Sequence, residues 1–536
     1  MTLRNRLRDR LTDGDDRLPI GLTLLCAAIA ATLVFPLAWL VIEAIAVDRG
    51  RATDLLFSAG TAEVLVNSLL LMAGVTGLSV AIGVPLAYLT ARTDLPFRRF
   101  WSVAAALPLV VPSYVGAFSF VSAFGPQGEF HEVLAPLGVQ RVPEIGGLSG
   151  SILVITLYTY PYVYLTTRAA LLSFDTTLLE AARTLNHGRL AAFRRVTLPT
   201  IRPAIAAGSL LAALYAVSDF GTPSIMRLPV FTRQIYVEYN AFGRDYAALL
   251  SLQLLVVVVL VLALEWAVRS DRETSGDDAG RTEDRVSLGR WRWPATLLPA
   301  GVSAFALLVP LWILGLWLVN SEAGRRPSLA FEPIQVLNSV SVSAAAAVVA
   351  ALAAIPIAYF AANHDSPLAV VFERATYVGF AVPGIVLALA LVYFGSGYVP
   401  WIYQTLPLLI FAYVVRFLPQ AVGSTRTSIL QVDRRLVEAG RTLGESPTGA
   451  FRRVTFPLTR SGIVAGAALV FLTTMKELPV TLVLRPSGFD TIVTQIWRAQ
   501  STALYQYAVV PTLILLLISG LSMVVILTQE GGEEGL

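Results

Sequence analysis

The sequence predicts an all-α polytopic membrane protein of about twelve transmembrane helices, arranged as two parallel six-helix repeats. Three observations predict it. The 536 residues are 55% hydrophobic and only 14% charged, with a mean hydropathy of +0.67, whereas a soluble domain carries about 25% charged residues. Apolar stretches of span length, about 20 residues, recur along the whole chain. The two halves also repeat one another at fixed displacements. This composition excludes an ordinary cytosolic enzyme, a disordered chain and a nucleic-acid binder.

The predicted spans run at roughly 20–46, 64–90, 101–124, 150–172, 203–225 and 246–268 in the first half. In the second they run at 293–319, 338–361, 376–396, 402–423, 461–484 and 507–528. The opening segment, MTLRNRLRDRLTDGDDRLP, is charged for too long to be a signal peptide, and a full span follows it. It reads as a cytoplasmic tail. Between the sixth and seventh spans, RSDRETSGDDAGRTEDRVSLGR is too polar for lipid. The chain therefore divides into a first half (1–268), a cytoplasmic linker (269–292) and a second half (293–536).

Orientation follows from arginine, which supplies 39 of the 40 basic residues, Lys476 being the other. With the N-terminus inside, the cytoplasmic segments hold 28 Arg and the outer loops 10. That asymmetry obeys the positive-inside rule and predicts both termini in the cytoplasm. Cys26 is the single cysteine, which excludes disulfides and multi-cysteine metal sites. His131, His187 and His364 are scattered without ligand spacing.

The repeat is legible residue by residue. Asn67-Ser68, Pro85, Tyr88 and Val111-Pro112 recur as Asn338-Ser339, Pro356, Tyr359 and Val382-Pro383, all displaced by 271. The displacement then falls to 258, because the third outer loop of the first half is about thirteen residues longer. At 258, FDTTLLEAARTLNHGRLAAFRRVTLP (174–199) matches VDRRLVEAGRTLGESPTGAFRRVTFP (432–457), and Asp219 falls on Glu477. Six spans is an even number, so both copies share one orientation. That predicts a pseudo-twofold along the membrane normal, with a pathway between the halves.

The duplicated cytoplasmic loop is the strongest signal. Asp175 and Asp433 are plausible N-caps of short helices. Asn186 and Gly444 then stand where a left-handed residue would close each helix. A second amphipathic stretch leads to Pro199 or Pro457 and the next span. Each loop reads as helix, tight turn, helix.

This pattern resembles the ATPase-docking loop of binding-protein-dependent ABC importer permeases. The motif reads Glu180-Ala181-Ala182 in the first half and Glu438-Ala439-Gly440 in the second. Gly444 matches the family glycine, whereas Asn186 departs from it and Phe456 replaces Leu before Pro457. SDFGTPSIM (218–226) and KELPVTLVLRPSGFDT (476–491) further resemble the fused permeases of ferric-iron importers. The resemblance implies a type I importer permease fold in the cell membrane. It also implies two cytoplasmic ATPase subunits and an extracytoplasmic solute-binding protein as partners. No cofactor is expected on this chain, ATP and Mg being bound by the partner ATPase. Ferric iron is the implied substrate, with thiamine or a phosphonate as alternatives within the class and an ion-coupled 6+6 secondary transporter outside it.

Lys476 is followed by Glu477, so the chain contains no GxxxxGK[ST] phosphate loop, and it has no GxSxG or HExxH site. Asp219, Lys476 and Glu477 follow the fifth span of each half or lie late within it. Charged residues at membrane depth are costly and usually face a cavity or a partner. Three roles remain open for them: helix-end anchors, lining of a pathway, or a dedicated iron site. Lys476 and Glu477 diverge as helix neighbours and are not a natural mutual pair. Arg416, in the tenth span, needs an acidic or carbonyl partner. Glu43 and Glu265 read as interfacial, and Pro85, Pro108, Pro112, Pro161, Pro356 and Pro383 as kinks.

Overall fold

The computed structural model describes residues 19–125, 144–174, 193–270, 286–319, 330–364 and 366–530, with positions 128, 130 and 191. The side chains of 265–270 and 522–530 fall outside that description, and Glu265 with them. In lipid the backbone must satisfy its own polar groups, and apolar stretches therefore become helices.

The first half comprises α1 (Ile20–Ala46), α2 (Arg49–Leu56), α3 (Ala59–Arg92), α4 (Arg98–Ala106) and α5 (Ser113–Ala123). It continues with α6 (Gly147–Leu172), α7 (Phe193–Ser218), α8 (Gly221–Ile225), α9 (Phe231–Asn240) and α10 (Arg244–Ser270). The second half runs α11 (Gly289–Val319), α12 (Pro333–Asn363), α13 (Pro367–Ala381), α14 (Gly384–Tyr398) and α15 (Leu406–Leu430). It ends with α16 (Arg434–Thr442), α17 (Pro447–Met475), α18 (Pro479–Leu484), α19 (Ile492–Ser501) and α20 (Val509–Glu530). Among the described residues, nine single helices and two bent pairs are long and apolar enough to cross a membrane. The twelfth predicted span falls on α20, Val509–Glu530.

Several boundaries need correction. The third and ninth spans are not single helices. The chain turns by 93° between the α4 helix, extended to Val110, and α5, and by 99° between α13 and α14. Pro112 and Pro383 cause both breaks. A proline disfavours helix at the residue before it, and Val111 and Val382 are extended, at ψ 125° and 127°. The fifth and eleventh spans end early, at Ser218 and Met475, and short helices α8 and α18 follow. Two polar helices, α9 and α19, precede the last span of each half and lie outside every predicted span. Pro85, Pro161 and Pro356 do lie inside helices.

The repeat survives in three dimensions as matching bonds. The Asn67 amide donates to the Pro229 carbonyl (3.2 Å), and the Asn338 amide to that of Asp490 (2.8 Å). Ser68 Oγ accepts from the Phe231 N–H, and Ser339 Oγ from that of Ile492. Each pair ties the stretch before α9 or α19 back to α3 or α12. In both halves three helices pack together: α3, α6 and α7, or α12, α15 and α17. Two equivalent glycines permit the close crossing. A Cβ on Gly208 would lie 2.6 Å from Val163 Cα, and one on Gly466 would lie 2.9 Å from Ala421 Cα.

The first helix of each half packs on the other half. α1 lies against α13 and α14, with Trp39 against Phe394 and Tyr398. Reciprocally, α11 lies against α4 and α5, and Trp317 stacks on Phe118 at 5.8 Å.

Candidate functional site

A cavity of ≈ 270 Å³ opens between the two halves. Its wall is itself a repeat. Leu109 and Phe380 line it, related by the displacement of 271. At 258, so do Tyr162 and Gln420, Tyr215 and Thr473, Ser218 and Lys476, and Asp219 and Glu477. Two breaks in the helices expose this wall. The bend between α4 and α5 brings Val111 to Tyr114 to the cavity, and the endings of α7 and α17 deliver the charged residues.

Asp219 stands where the backbone leaves the helix, at ψ 124°. Its Oδ2 accepts from the Ser113 hydroxyl at 3.0 Å and its Oδ1 from the Gly221 N–H at 3.1 Å. The Tyr215 hydroxyl donates in turn to Ser113 Oγ at 3.1 Å. Glu477 occupies the equivalent place with a different partner. Its Oε2 lies 3.2 Å from Arg416 Nε, and the two side chains are only 8% and 15% exposed. The angle falls short of a hydrogen bond, so the contact is an ion pair. Glu477 Oε1 also accepts from the Val480 N–H at 3.3 Å.

The asymmetry has a steric origin. Ser113 is matched at displacement 271 by Gly384, whose missing Cβ would lie 2.6 Å from Glu477 Oε1 and 2.8 Å from Arg416 Nη1. Glycine leaves room for the guanidinium, which the first half replaces with Tyr158 at the equivalent position.

Both cations reach carbonyls at the helix breaks. Arg416 Nη1 donates to the Val382 carbonyl at 3.1 Å. Lys476 Nζ donates to the Val110 carbonyl at 3.2 Å and thereby bonds one half to the other. Carbonyls that end a helix have no partner within it, and a cation is favourable there. Arg416 thus has both kinds of partner its position required, and Lys476 and Glu477 bond elsewhere rather than to each other. Two carboxylates and two cations make a polar wall whose formal charges cancel. Among the described residues, no group of three or more His, Cys, Asp or Glu side chains is placed to hold a metal ion.

The second docking-type loop is described, and the first is not. Glu180, Ala181, Ala182 and Asn186 lie outside the described residues, as do Asp175, His131 and His187. In the second copy the Asp433 carboxylate accepts from the Arg435 N–H and caps α16. The helix closes at Gly444, whose φ is +93°. The Glu445 N–H donates to the Gly440 carbonyl and the Gly444 N–H to that of Arg441, the pairing of a Schellman turn. The stretch after this turn is not a separate helix, because Pro447–Met475 runs unbroken into the span. It passes through a wide turn at Phe451–Thr455, and the identical FRRVT at Phe193–Thr197 does the same. α16 buries none of its residues, and Glu438, Ala439 and Gly444 are exposed. Gly440 is half-buried beside Val454.

Comparison with known proteins matches the chain to the model for the binding-protein-dependent transport system inner membrane component, over residues 79–270 and 354–529. The chain is similar to the Fe(3+)-transport system permease protein FbpB 2 of Haemophilus influenzae, with 31% identity over 94% of this chain and 97% of that protein. It is also similar to the ferric transport system permease protein FbpB of Actinobacillus pleuropneumoniae, at 24% over 77% of this chain and 63% of the relative. The molybdenum transport system permease protein ModB of Escherichia coli is 27% identical over 37% of this chain and 89% of its own length.

Proposed function

Since the chain belongs to the family of binding-protein-dependent transport system inner membrane components, we propose that it is the complete permease of a ferric-iron importer, its two halves, 1–268 and 293–536, joined by the linker 269–292. The observation that carries this reading is the cavity wall built from equivalent residues of both halves. A route on the pseudo-twofold axis needs one copy of the chain, because each half supplies one side.

Ferric iron is the substrate, in keeping with the names of two relatives that align along most of the chain. The cavity suits passage rather than storage. Asp219 is engaged by Ser113 and Gly221, and Glu477 by Arg416. Carboxylates so occupied bind a cation weakly, and passage requires binding weak enough to be released. Asp219, Lys476 and Glu477 are therefore assigned to the pathway.

Energy enters through separate subunits, since the chain lacks a phosphate loop. Two copies of a cytoplasmic ATPase, carrying ATP and Mg, dock on the loops at about 174–199 and 432–457. Glu180, Ala181, Ala182 and Asn186 serve the first site, and Glu438, Ala439, Gly440 and Gly444 the second. The unburied faces of α16 support that assignment. An extracytoplasmic binding protein delivers the substrate to the opposite side, and both termini are cytoplasmic. Radiolabelled uptake in a deletion strain tests the substrate. The reading predicts accumulation of ferric iron, and uptake of thiamine or a phosphonate instead would overturn it.

A further inference from the structure

Two short segments that the transport route does not use each follow directly on one of two stretches that are hydrogen-bonded to one another. Residues 96–101 read PFRRFW and residues 289–294 read GRWRWP. Backbone bonds join the stretches that carry them. The Val286 N–H donates to the Arg92 carbonyl at 2.8 Å, and the Asp94 N–H to the Val286 carbonyl at 3.3 Å. The Leu288 N–H donates to Asp94 Oδ1 at 2.8 Å. Beyond this tether, α11 packs along α4.

The two segments carry side chains of two kinds. Phe97, Phe100, Trp291 and Trp293 are 71%, 61%, 63% and 66% exposed. Arg99, Arg290 and Arg292 are exposed beside them in sequence. From the cluster, exposed apolar residues continue along both helices, as Val103 on α4 and as Leu297, Phe305 and Leu308 on α11. In a membrane-spanning chain such faces meet acyl chains. The cluster therefore lies where the acyl region gives way to water, the depth at which Trp is enriched.

The repeat supplies an internal control. At displacement 271, PFRRFW falls on PLAVVF (367–372) at the start of α13. Leu368, Val370 and Val371 are also exposed there, yet the segment carries no charge. The fold does not require arginine at this place, and the half that has it is the half that also receives the linker.

We infer that PFRRFW and GRWRWP together form a headgroup site for an anionic phospholipid. The arginine forks bind a phosphate by paired charge-assisted hydrogen bonds, while the aromatic rings pack against the glycerol and upper acyl chain. A lipid seated there bridges the end of the linker to the first half, reinforcing the join already made at Thr93 and Val286. The inference rests on the membrane-spanning reading and not on the identity of the substrate.

The test uses the full chain in detergent, with bound lipid counted by native mass spectrometry. Dioleoylphosphatidylglycerol and dioleoylphosphatidylcholine are the two probes. The triple variant Arg99→Gln/Arg290→Gln/Arg292→Gln should lose phosphatidylglycerol affinity by roughly fivefold for each arginine removed, and phosphatidylcholine binding should not change. The corresponding triple replacement by Lys keeps the charge and should retain more phosphatidylglycerol than the Gln triple. It also supplies a second variant should the first fail to fold. Unchanged phosphatidylglycerol binding in a folded Gln triple overturns the proposal, as does an equal loss of both lipids. Loss of a copurifying ATPase with phosphatidylglycerol binding intact would assign the patch to a protein partner and overturn it as well.

Discussion

Replacing Arg416 with Met removes one member of an almost fully buried ion pair and leaves Glu477, 8% exposed, without its cation. Breaking such a pair from one side costs about 3–5 kcal/mol, because the remaining charge stays desolvated. Replacing both members with apolar side chains is often neutral. Here the Val382 carbonyl also loses a donor, worth about 1 kcal/mol. Arg416→Met should therefore destabilise the protein by at least about 3 kcal/mol, and Arg416→Met/Glu477→Met by about 1 kcal/mol. The assay is unfolding in mixed micelles titrated with sodium dodecyl sulfate, followed by tryptophan fluorescence. Rescue of the single variant by the second substitution is the signature. If the double variant is no more stable than Arg416→Met, the pair does not neutralise Glu477 and the account of the cavity wall fails.

Other substitutions test separate parts. Gly384→Ala places a Cβ against both members of the ion pair and should cost about 1–3 kcal/mol as overpacking, measured by the same titration. Gly466→Val should be similarly destabilising, because the Ala421 backbone leaves no room. Gly444→Val puts a β-branched residue at a φ of +93°, and should reduce ATPase pull-down about tenfold or more at matched membrane expression. Asn186→Gly should leave that pull-down unchanged. Asp219→Asn should lower iron uptake without altering ATPase assembly, which uptake and pull-down on one membrane preparation would separate.

Much of the architecture is legible because hydropathy and repetition are local properties. The apolar stretches mark where helices form, and the displacements of 271 and 258 pair Ser68 with Ser339 and Asp219 with Glu477 before any coordinate is known. Other features are hidden for physical reasons. Prolines are tolerated inside membrane helices, so Pro112 and Pro383 read as kinks although each ends a helix. The helices α9 and α19 are too polar to register as spans. Their signal lay in their own repetition, displaced by 261, and in the Thr491 cap before α19. Hydropathy also says nothing about which helix a span touches, so the exchange of α1 and α11 between halves could not be read. The partner of Arg416 was invisible for a related reason. Glu477 is far along the chain, and the equivalent of Arg416 is the uncharged Tyr158, so the repeat gives no second example of the pair.

The central claim is that substrate crosses between the halves through the cavity around Asp219 and Glu477. It is tested most directly by placing one cysteine at Tyr162 and, separately, one at its repeat mate Gln420, in a Cys26→Ala background. Cys26 is the single native thiol and is buried. Each cysteine is reacted with a membrane-impermeant methanethiosulfonate reagent during ATP turnover, and ferric-iron uptake is then measured. The account predicts that both positions react and that reaction at either blocks uptake. Uptake that continues at the wild-type rate with both positions fully modified would show that the substrate travels elsewhere.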